Sequence, residues 1–546
     1  MQRSLASKDG AVIRNPVLPG FNPDPSFCRV GDDFYMATST FEWYPGVQIH
    51  HSRDLVNWTL VARPLKRSSQ LDLRGNPDSC GVWAPCLSWA DGRFWLVYTN
   101  VKRFEGNFKD AHNYIVTAPT IDGPWSDPVY VNSSGFDPSL FHDQDGRKWF
   151  LNMQWDHRTG AVGGQPEAAA FDGILLQERD AERGRLVGPV TNIYRGTALG
   201  LVEGPHLFQR QGWYYLMTAE GGTGYSHAVT LARSRELQGP YETHPCQHVV
   251  SSKDAPQALL QRAGHGQLVQ LDDGSAYLAH LCSRPLPGTR RSPRGRETAL
   301  QRCVWRDDDW LYLEHGGMVP AVDVPAPFAA AEPAPRQPVR RSFAGCQSLP
   351  PEFQWLRTPE PERLFTLTGT ALRLTGRESV GSWFEQSLVA RRQEDERFRA
   401  ETVVSRFAPD TYQQAAGLAL YYNRHKFHTL MLTCQEGGRR VLSLLSCPGI
   451  WPDNQLQFPL TEPVALPAEG AVRLAAEVDG AALQFLADWG QGWQTVGPVL
   501  DASVISDEGG RGEHASFTGA FIGMLAFDTS GAARTADFTH FDYEPR

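Results

Sequence analysis

Five residues stand at a shared phase of a repeated pattern: Asp24, Trp83, Asp137, Glu203 and His265. Each lies eleven or twelve residues ahead of an aromatic anchor, respectively Tyr35, Trp95, Trp149, Tyr215 and Tyr277. Three carboxyls, an indole and an imidazole converging at one mouth of a channel would form a chemical site. Clustered carboxyls suit glycoside hydrolysis, where one acid protonates the leaving oxygen and a carboxylate activates water or attacks carbon. A third acid nearby raises the pKa of the proton donor by like-charge repulsion. Aromatic faces such as Trp83 and Phe41 would pack on a sugar ring. Arg296, in Gly295-Arg296-Glu297-Thr298, offers hydroxyls a fixed fork of donors.

Each residue also has a plain structural reading. Asp24 and Asp137 stand beside prolines, and Asp-Pro is a routine turn signal. Trp83 can simply pack, His265 can be a satisfied core histidine, and a lone Arg296 suits a surface ion pair. Glu203, in Val202-Glu203-Gly204-Pro205-His206, is harder to explain as a solvated charge. Independent turns have no reason to place acids at one phase, so the shared register favours a functional site. Other chemistries lack their signatures. There is no G-x-S-x-G elbow, no P-loop and no H-E-x-x-H, and Gly160-x-x-Gly163-Gly164 follows no strand-to-helix unit.

The elements that position these residues are hairpins. The anchors recur at intervals of 60, 54, 66 and 62 residues, each after a turn: Gly31-Asp32, Asp91-Gly92, Asp145-Gly146, Gln211-Gly212 and Asp273-Gly274. A turn followed by an aromatic or β-branched run reads as a hairpin. Five such units predict a five-bladed β-propeller over residues 1–319. Asp122-Gly123-Pro124-Trp125 and Gln238-Gly239-Pro240-Tyr241 read as turns before outer strands. Residues 320–340 are rich in Pro and Ala, as in a semi-rigid linker. From 341 to 546, alternating runs such as Leu364–Thr368, Ala416–Tyr422, Val441–Leu445 and Ala520–Leu525 predict a concanavalin-like β-sandwich. The chain is thus read as all-β. The stretch Asp501–Ser516 reads as a long functional or packing loop.

Composition agrees with a globular protein of more than one domain: 546 residues, 41% hydrophobic, 21% charged, and 16 Trp among 11% aromatics. A formal charge of −9 and the lack of a basic block argue against nucleic acid as a partner. No apolar run of membrane-spanning length and no signal h-region occurs, so no membrane partner is expected. The nine cysteines (Cys28, Cys80, Cys86, Cys246, Cys282, Cys303, Cys346, Cys434, Cys447) form no C-x-x-C pair, which points to a reducing, cytoplasmic setting.

Taken in order, several stretches resemble the glycoside hydrolase family 43 β-xylosidases. They are Asn15–Ser26, Thr38–Ser52, Gly75–Ser79, Val82–Pro85, Gly135–Asp137, Glu203–His206, Ala219–Thr223, Gly295–Ala299 and, in the second domain, Phe517–Phe521. The resemblance implies a five-bladed propeller and an inverting mechanism, with Asp24 as general base, Glu203 as general acid and Asp137 as pKa modulator. Trp83, Phe41, Arg296 and His265 would line the sugar subsite, and Phe517 would be a wall residue lent by the sandwich. No cofactor is required, although some relatives hold calcium or another divalent ion through water near the position of His265. The implied substrate is a xylo-oligosaccharide cut at its non-reducing end, or an arabinose-substituted glycan if arabinofuranosidase action dominates. A non-catalytic sugar-binding protein is a third reading, and relatives often form homo-oligomers. Three features depart from the pattern: Cys86 after Trp83-Ala84-Pro85, the loop Arg158–Ala170, and the basic stretch Pro287–Arg294 expected beside the leaving-group side.

Overall fold

Short antiparallel hairpins dominate the chain. The computed structural model describes residues 10–104, 106–158, 170–180, 182–328, 336–449, 456–510 and 516–546. Residues 159–169 of the loop at Arg158–Ala170, 329–335 of the Pro/Ala-rich segment at 320–340, and 511–515 of the loop at Asp501–Ser516 lie outside these residues. Five four-stranded antiparallel sheets follow one another. Their first strands are Ser26–Val30, Gly81–Ala90, Ser139–His142, Glu203–Arg210 and Gln261–Gln270. Each first strand touches the next, and the fifth returns to the first, so these are the innermost strands of a closed five-bladed propeller. The Gly-Pro turns at 123–124 and 239–240 precede the outer strands Val129–Asn132 and Glu242–Ser251.

The ring is closed by the N-terminal segment. Val12–Arg14 pairs with Asp323–Pro325, and the Asn15 side chain donates to the carbonyls of Leu300 (2.7 Å) and Ala321 (3.0 Å). This buried amide ties the N-terminal segment that leads into blade one to blade five and the segment following it.

Two eight-stranded sheets form the C-terminal sandwich. One sheet shows regular alternation, as in Arg397–Arg406, where every second residue is buried. The other is buried on both faces: all ten residues of Gln414–Asn423 are covered. The second face is covered by the propeller. Phe21, Phe41, Trp43 and Trp83 share one apolar cluster with Tyr421, Phe427, Met431 and Phe521. Trp43 stacks on Phe521 with ring centroids 3.6 Å apart and an interplanar angle of 12°.

The two bodies therefore interlock beyond what a linker at 320–340 requires. Asp323–Pro325 belongs to the propeller's closure, and Val339–Ser342 pairs with the final strand of the sandwich. Trp43–Tyr44, deep inside the first domain by sequence, adds an edge strand to a sandwich sheet by pairing with Trp355 and Leu356. A two-residue strand carries too weak a pattern to be read from sequence. Among the described residues, no helix is long and apolar enough to cross a membrane.

Candidate active site

The site is built on one backbone position repeated in all five blades. The anchors Tyr35, Trp95, Trp149, Tyr215 and Tyr277 pair with Cys28, Ser88, Phe141, Phe208 and Val269. Four residues upstream of those partners lie Asp24, Ala84, Asp137, Gly204 and His265. All five adopt left-handed backbone, with φ of 54°, 32°, 54°, 57° and 45°. Asp and Gly tolerate that conformation best. This corrects the register counted from sequence. Asp24, Asp137 and His265 occupy the repeated position, whereas Trp83 and Glu203 each precede it by one residue. The first hairpins of blades three and five are one residue longer than the others, so a fixed count slips. The signal was present: Asp24, Ala84, Asp137 and Gly204 are all followed by proline.

The three acids and the imidazole meet in a buried cluster. The Ser39 hydroxyl donates to Asp24 Oδ2 (2.7 Å) and accepts the Ala84 N–H (2.8 Å). Arg296 Nη1 donates to Asp24 Oδ1 at 3.3 Å, and His265 Nδ1 lies 4.0 Å from the same oxygen. Gly204 N–H donates to Asp137 Oδ2 (3.1 Å), so the residue after Glu203 ties blade four to Asp137. Burial, then the charges of Glu203 and Asp24, push the Asp137 carboxyl well above its ordinary range, against the Gly204 N–H and Arg296. Three carboxyls thus share one poorly hydrated space, which favours the protonated form of Asp137. The His265 ring lies over Gly204, where an added Cβ would come within 2.9 Å of Cε1. Burial lowers the His265 pKa, Asp24 raises it, and Arg296 lowers it further.

Aromatic rings wall this cluster. Trp83 meets Phe41 at 5.8 Å, Phe104 at 5.8 Å, Phe136 at 5.4 Å and Phe517 at 5.8 Å between centroids. Phe517 comes from the sandwich and also faces Phe41 and Phe104. The structure thereby brings Phe41, Trp83 and Phe517 together, with the Arg296 guanidinium, which also touches Asp24, over the rings of Phe41 and Phe517. Arg296 is fully buried and works differently from a free fork. Its Nε donates to the Phe517 carbonyl (3.0 Å), Nη2 donates to the same oxygen, and Nη1 faces Asp24. It bridges the candidate base and the sandwich wall. Ser39 and Phe104 escaped the sequence reading, because a hydroxyl in Thr38-Ser39-Thr40 and a Phe at a strand end carry no local signal.

Beneath the acids the axis is closed by polar side chains. The Ser26 hydroxyl donates to Gln267 Oε1 (2.8 Å), and Cys86 Sγ lies 3.9 Å from His206 Nδ1. Burial pushes the Cys86 thiol up to about 11 and, with His265 nearby, the His206 imidazole down to about 3. Cys86 is thus an unreactive thiol in the packing of the axis. Among the described residues, no group of three or more His, Cys, Asp or Glu is arranged to hold a metal ion. His265 faces a carboxylate and a glycine, so its surroundings do not supply a direct coordination shell. In the basic stretch Pro287–Arg294, Arg291 and Ser292 engage the sandwich. Arg291 donates to Asp501 (3.1 Å) and Ser503 (2.8 Å), and the Ser292 N–H donates to Glu508 (2.9 Å), all in the sandwich.

Residues 13–311 match the glycosyl hydrolases family 43, and residues 340–544 match the beta xylosidase C-terminal concanavalin A-like domain. The chain belongs to family 43. The family-43 region holds all three acids, and the sandwich region holds Phe517. The chain is 57% identical over 98% of its length to xylosidase/arabinosidase 43B of Humicola insolens, of which 98% is covered. It is 45% identical to a beta-xylosidase of Bacillus subtilis (strain 168), over 98% of this chain and 100% of that one. Among solved structures, a xylan beta-1,4-xylosidase from Bacillus halodurans C-125 superposes with a TM-score of 0.92 at 47% identity, covering 97% of this chain and 100% of that one. The protein is a glycoside hydrolase of this family.

Proposed function

We propose that this enzyme is an inverting, exo-acting β-xylosidase that releases xylose from the non-reducing ends of β-1,4-xylo-oligosaccharides, with α-L-arabinofuranosidase activity as its second action. The observation that carries the reading is the buried triad of carboxyls enclosed by rings from both domains. Asp24, oriented by Ser39 and Arg296, takes the proton of the attacking water. Glu203 gives its proton to the leaving oxygen. Asp137, whose carboxyl is pushed up by burial and by the charges of Glu203 and Asp24, shares that buried space so that it and Glu203 resist ionising together, which keeps a proton at hand for Glu203, and it orients blade four through Gly204 N–H. Water attacks one face of the sugar while the leaving group departs from the other, so the anomeric configuration inverts. A wall supplied by the sandwich suits a pocket for a chain end. The relative from Humicola carries both xylosidase and arabinosidase in its name, which supports the second activity. The chemistry needs no cofactor, and a divalent ion near His265 would be held through water. Nine free cysteines support work in a reducing cytoplasm on imported oligomers.

A sugar-binding protein without catalysis is less well supported. The sandwich sheet that would be open in a lectin is covered by the propeller. The test compares wild type and Glu203→Ala on xylobiose and on the nitrophenyl xyloside and arabinofuranoside. Loss of the acid is expected to harm xylobiose far more than an activated leaving group. The first product from a β-linked substrate is expected to be α-xylose by NMR. Equal losses on good and poor leaving groups would move the acid role elsewhere, and β-xylose would refute inversion. Binding without turnover by the wild type would favour the sugar-binding reading.

A further inference from the structure

Ser79 lies on the turn before the first strand of blade two and is wholly buried. Its backbone is left-handed, with φ of 59°, in a non-glycine residue. That conformation costs on the order of 1 kcal/mol and persists only where neighbours hold it. Three polar groups of Ser79 meet three partners. Its N–H donates to Glu42 Oε2 (3.2 Å), its carbonyl accepts the Trp83 indole N–H (2.9 Å), and its hydroxyl oxygen accepts the Phe517 N–H (3.1 Å). The rings of Trp83 and Phe517 meet edge to face at 5.8 Å. One propeller residue thus fixes a pocket ring from its own domain and the backbone beneath a pocket ring from the other.

Other holds on this sandwich segment act at neighbouring points. Arg296 grips the Phe517 carbonyl, Tyr422 Oη accepts the Thr518 N–H (2.7 Å), and Lys426 Nζ donates to Ser516 Oγ (3.0 Å). Arg296 also touches Asp24, so changing it disturbs the chemistry directly. The three partners of Ser79 are not the acids. We infer that Ser79 is a positioning residue that sets the spacing of Trp83 and Phe517, and thereby the width of the pocket for the terminal sugar ring. This rests on the reading of that pocket as the xylose site. It predicts weaker sugar binding with the bond-breaking step spared.

Two variants separate positioning from fold maintenance. Ser79→Gly removes the hydroxyl and suits the left-handed backbone, whereas Ser79→Ala removes the hydroxyl and keeps the strain. Both are expected to raise KM for xylobiose about five-fold, the worth of one buried hydrogen bond, with kcat within about two-fold. The inhibition constant of xylose should rise in parallel. In a Phe517→Ala background, Ser79→Gly should add nothing further, because the ring it positions is gone. Crystals of Ser79→Gly should show the Phe517 ring displaced from Trp83. Unchanged KM and xylose affinity in both variants would overturn the inference, as would additive losses in the Phe517→Ala background. A KM change in Ser79→Ala alone, tracking its melting temperature, would also overturn it. A wild type that neither cleaves xylobiose nor binds xylose would overturn the xylosidase reading instead. The crystallographic position of Phe517 would still decide the positioning role.

Discussion

Replacing Glu42 by Gln tests the electrostatics of the seam between the two domains. Glu42 is buried beside the sandwich residue Arg357, but that guanidinium is aimed elsewhere: Nε donates to the Asn76 carbonyl (2.8 Å) and Nη2 to Asp78 Oδ1 (2.7 Å). Burial pushes the Glu42 carboxyl up to about 8, against Arg357 and with the help of Asp78. The folded protein therefore keeps a proton that the unfolded chain releases above its ordinary value of 4.5. The stabilisation is complete below that value and declines as pH rises toward 8, by about 1.4 kcal/mol per unit. Between pH 5 and 7.5 the loss is at most roughly 3 kcal/mol on this linkage. Gln cannot titrate, and its amide oxygen can still accept the Ser79 N–H. The variant should thus gain on the wild type as pH rises, by a few degrees in Tm between pH 5 and 7.5. Calorimetry of both proteins at the two pH values measures it. A difference that does not change with pH, or that turns against Gln at pH 7.5, would show that Glu42 is ionised and paired with Arg357, and would refute the reasoning.

Asp137→Asn should cut turnover by about 100-fold or more while raising thermal stability at pH 7. The raised carboxyl's contribution is fully present below about pH 3.8 and is lost progressively as pH climbs through its folded value, so melting curves at pH 4 and 7 check the sign. Gly204→Ala places a Cβ within 2.9 Å of His265 at a φ of 57°; kcat/KM should fall about 100-fold from a displacement near 1 Å. An unshifted Tm in that variant would confine the damage to the site. Trp43→Ala removes the ring stacked on Phe521 and should destabilise the protein by about 3–5 kcal/mol, read by denaturant unfolding. A loss under about 1 kcal/mol would show that the seam carries little of the stability.

Much of this architecture was written locally. A turn followed by an aromatic strand is a short-range signal, so the five anchors and the propeller could be read without any long-range contact. The alternation of Ala416–Tyr422 and its neighbours likewise announced strands, because side chains alternate across a sheet. The acids were legible through their phase relative to the anchors, although the phase itself was one residue off at Trp83 and Glu203. Hairpin length, which set that error, depends on pairing and not on spacing.

The rest belongs to tertiary structure. Trp43–Tyr44 joins a sheet whose other strands begin more than 300 residues later, and no local pattern encodes such a pairing. Arg296 reads as a sugar-binding fork in sequence, yet its partners are a carbonyl at 517 and a carboxyl at 24. Ser79 figures in the sequence only as the end of the stretch Gly75–Ser79, and only the meeting of Glu42, Trp83 and Phe517 gives it a role. Residue types and their periodicity determined which strands form and which acids face the axis. The elevated proton affinity of Asp137 arises from burial and from two carboxyls on other blades. The pocket wall arises from a second domain packed on the first. Neither exists until the chain has closed on itself.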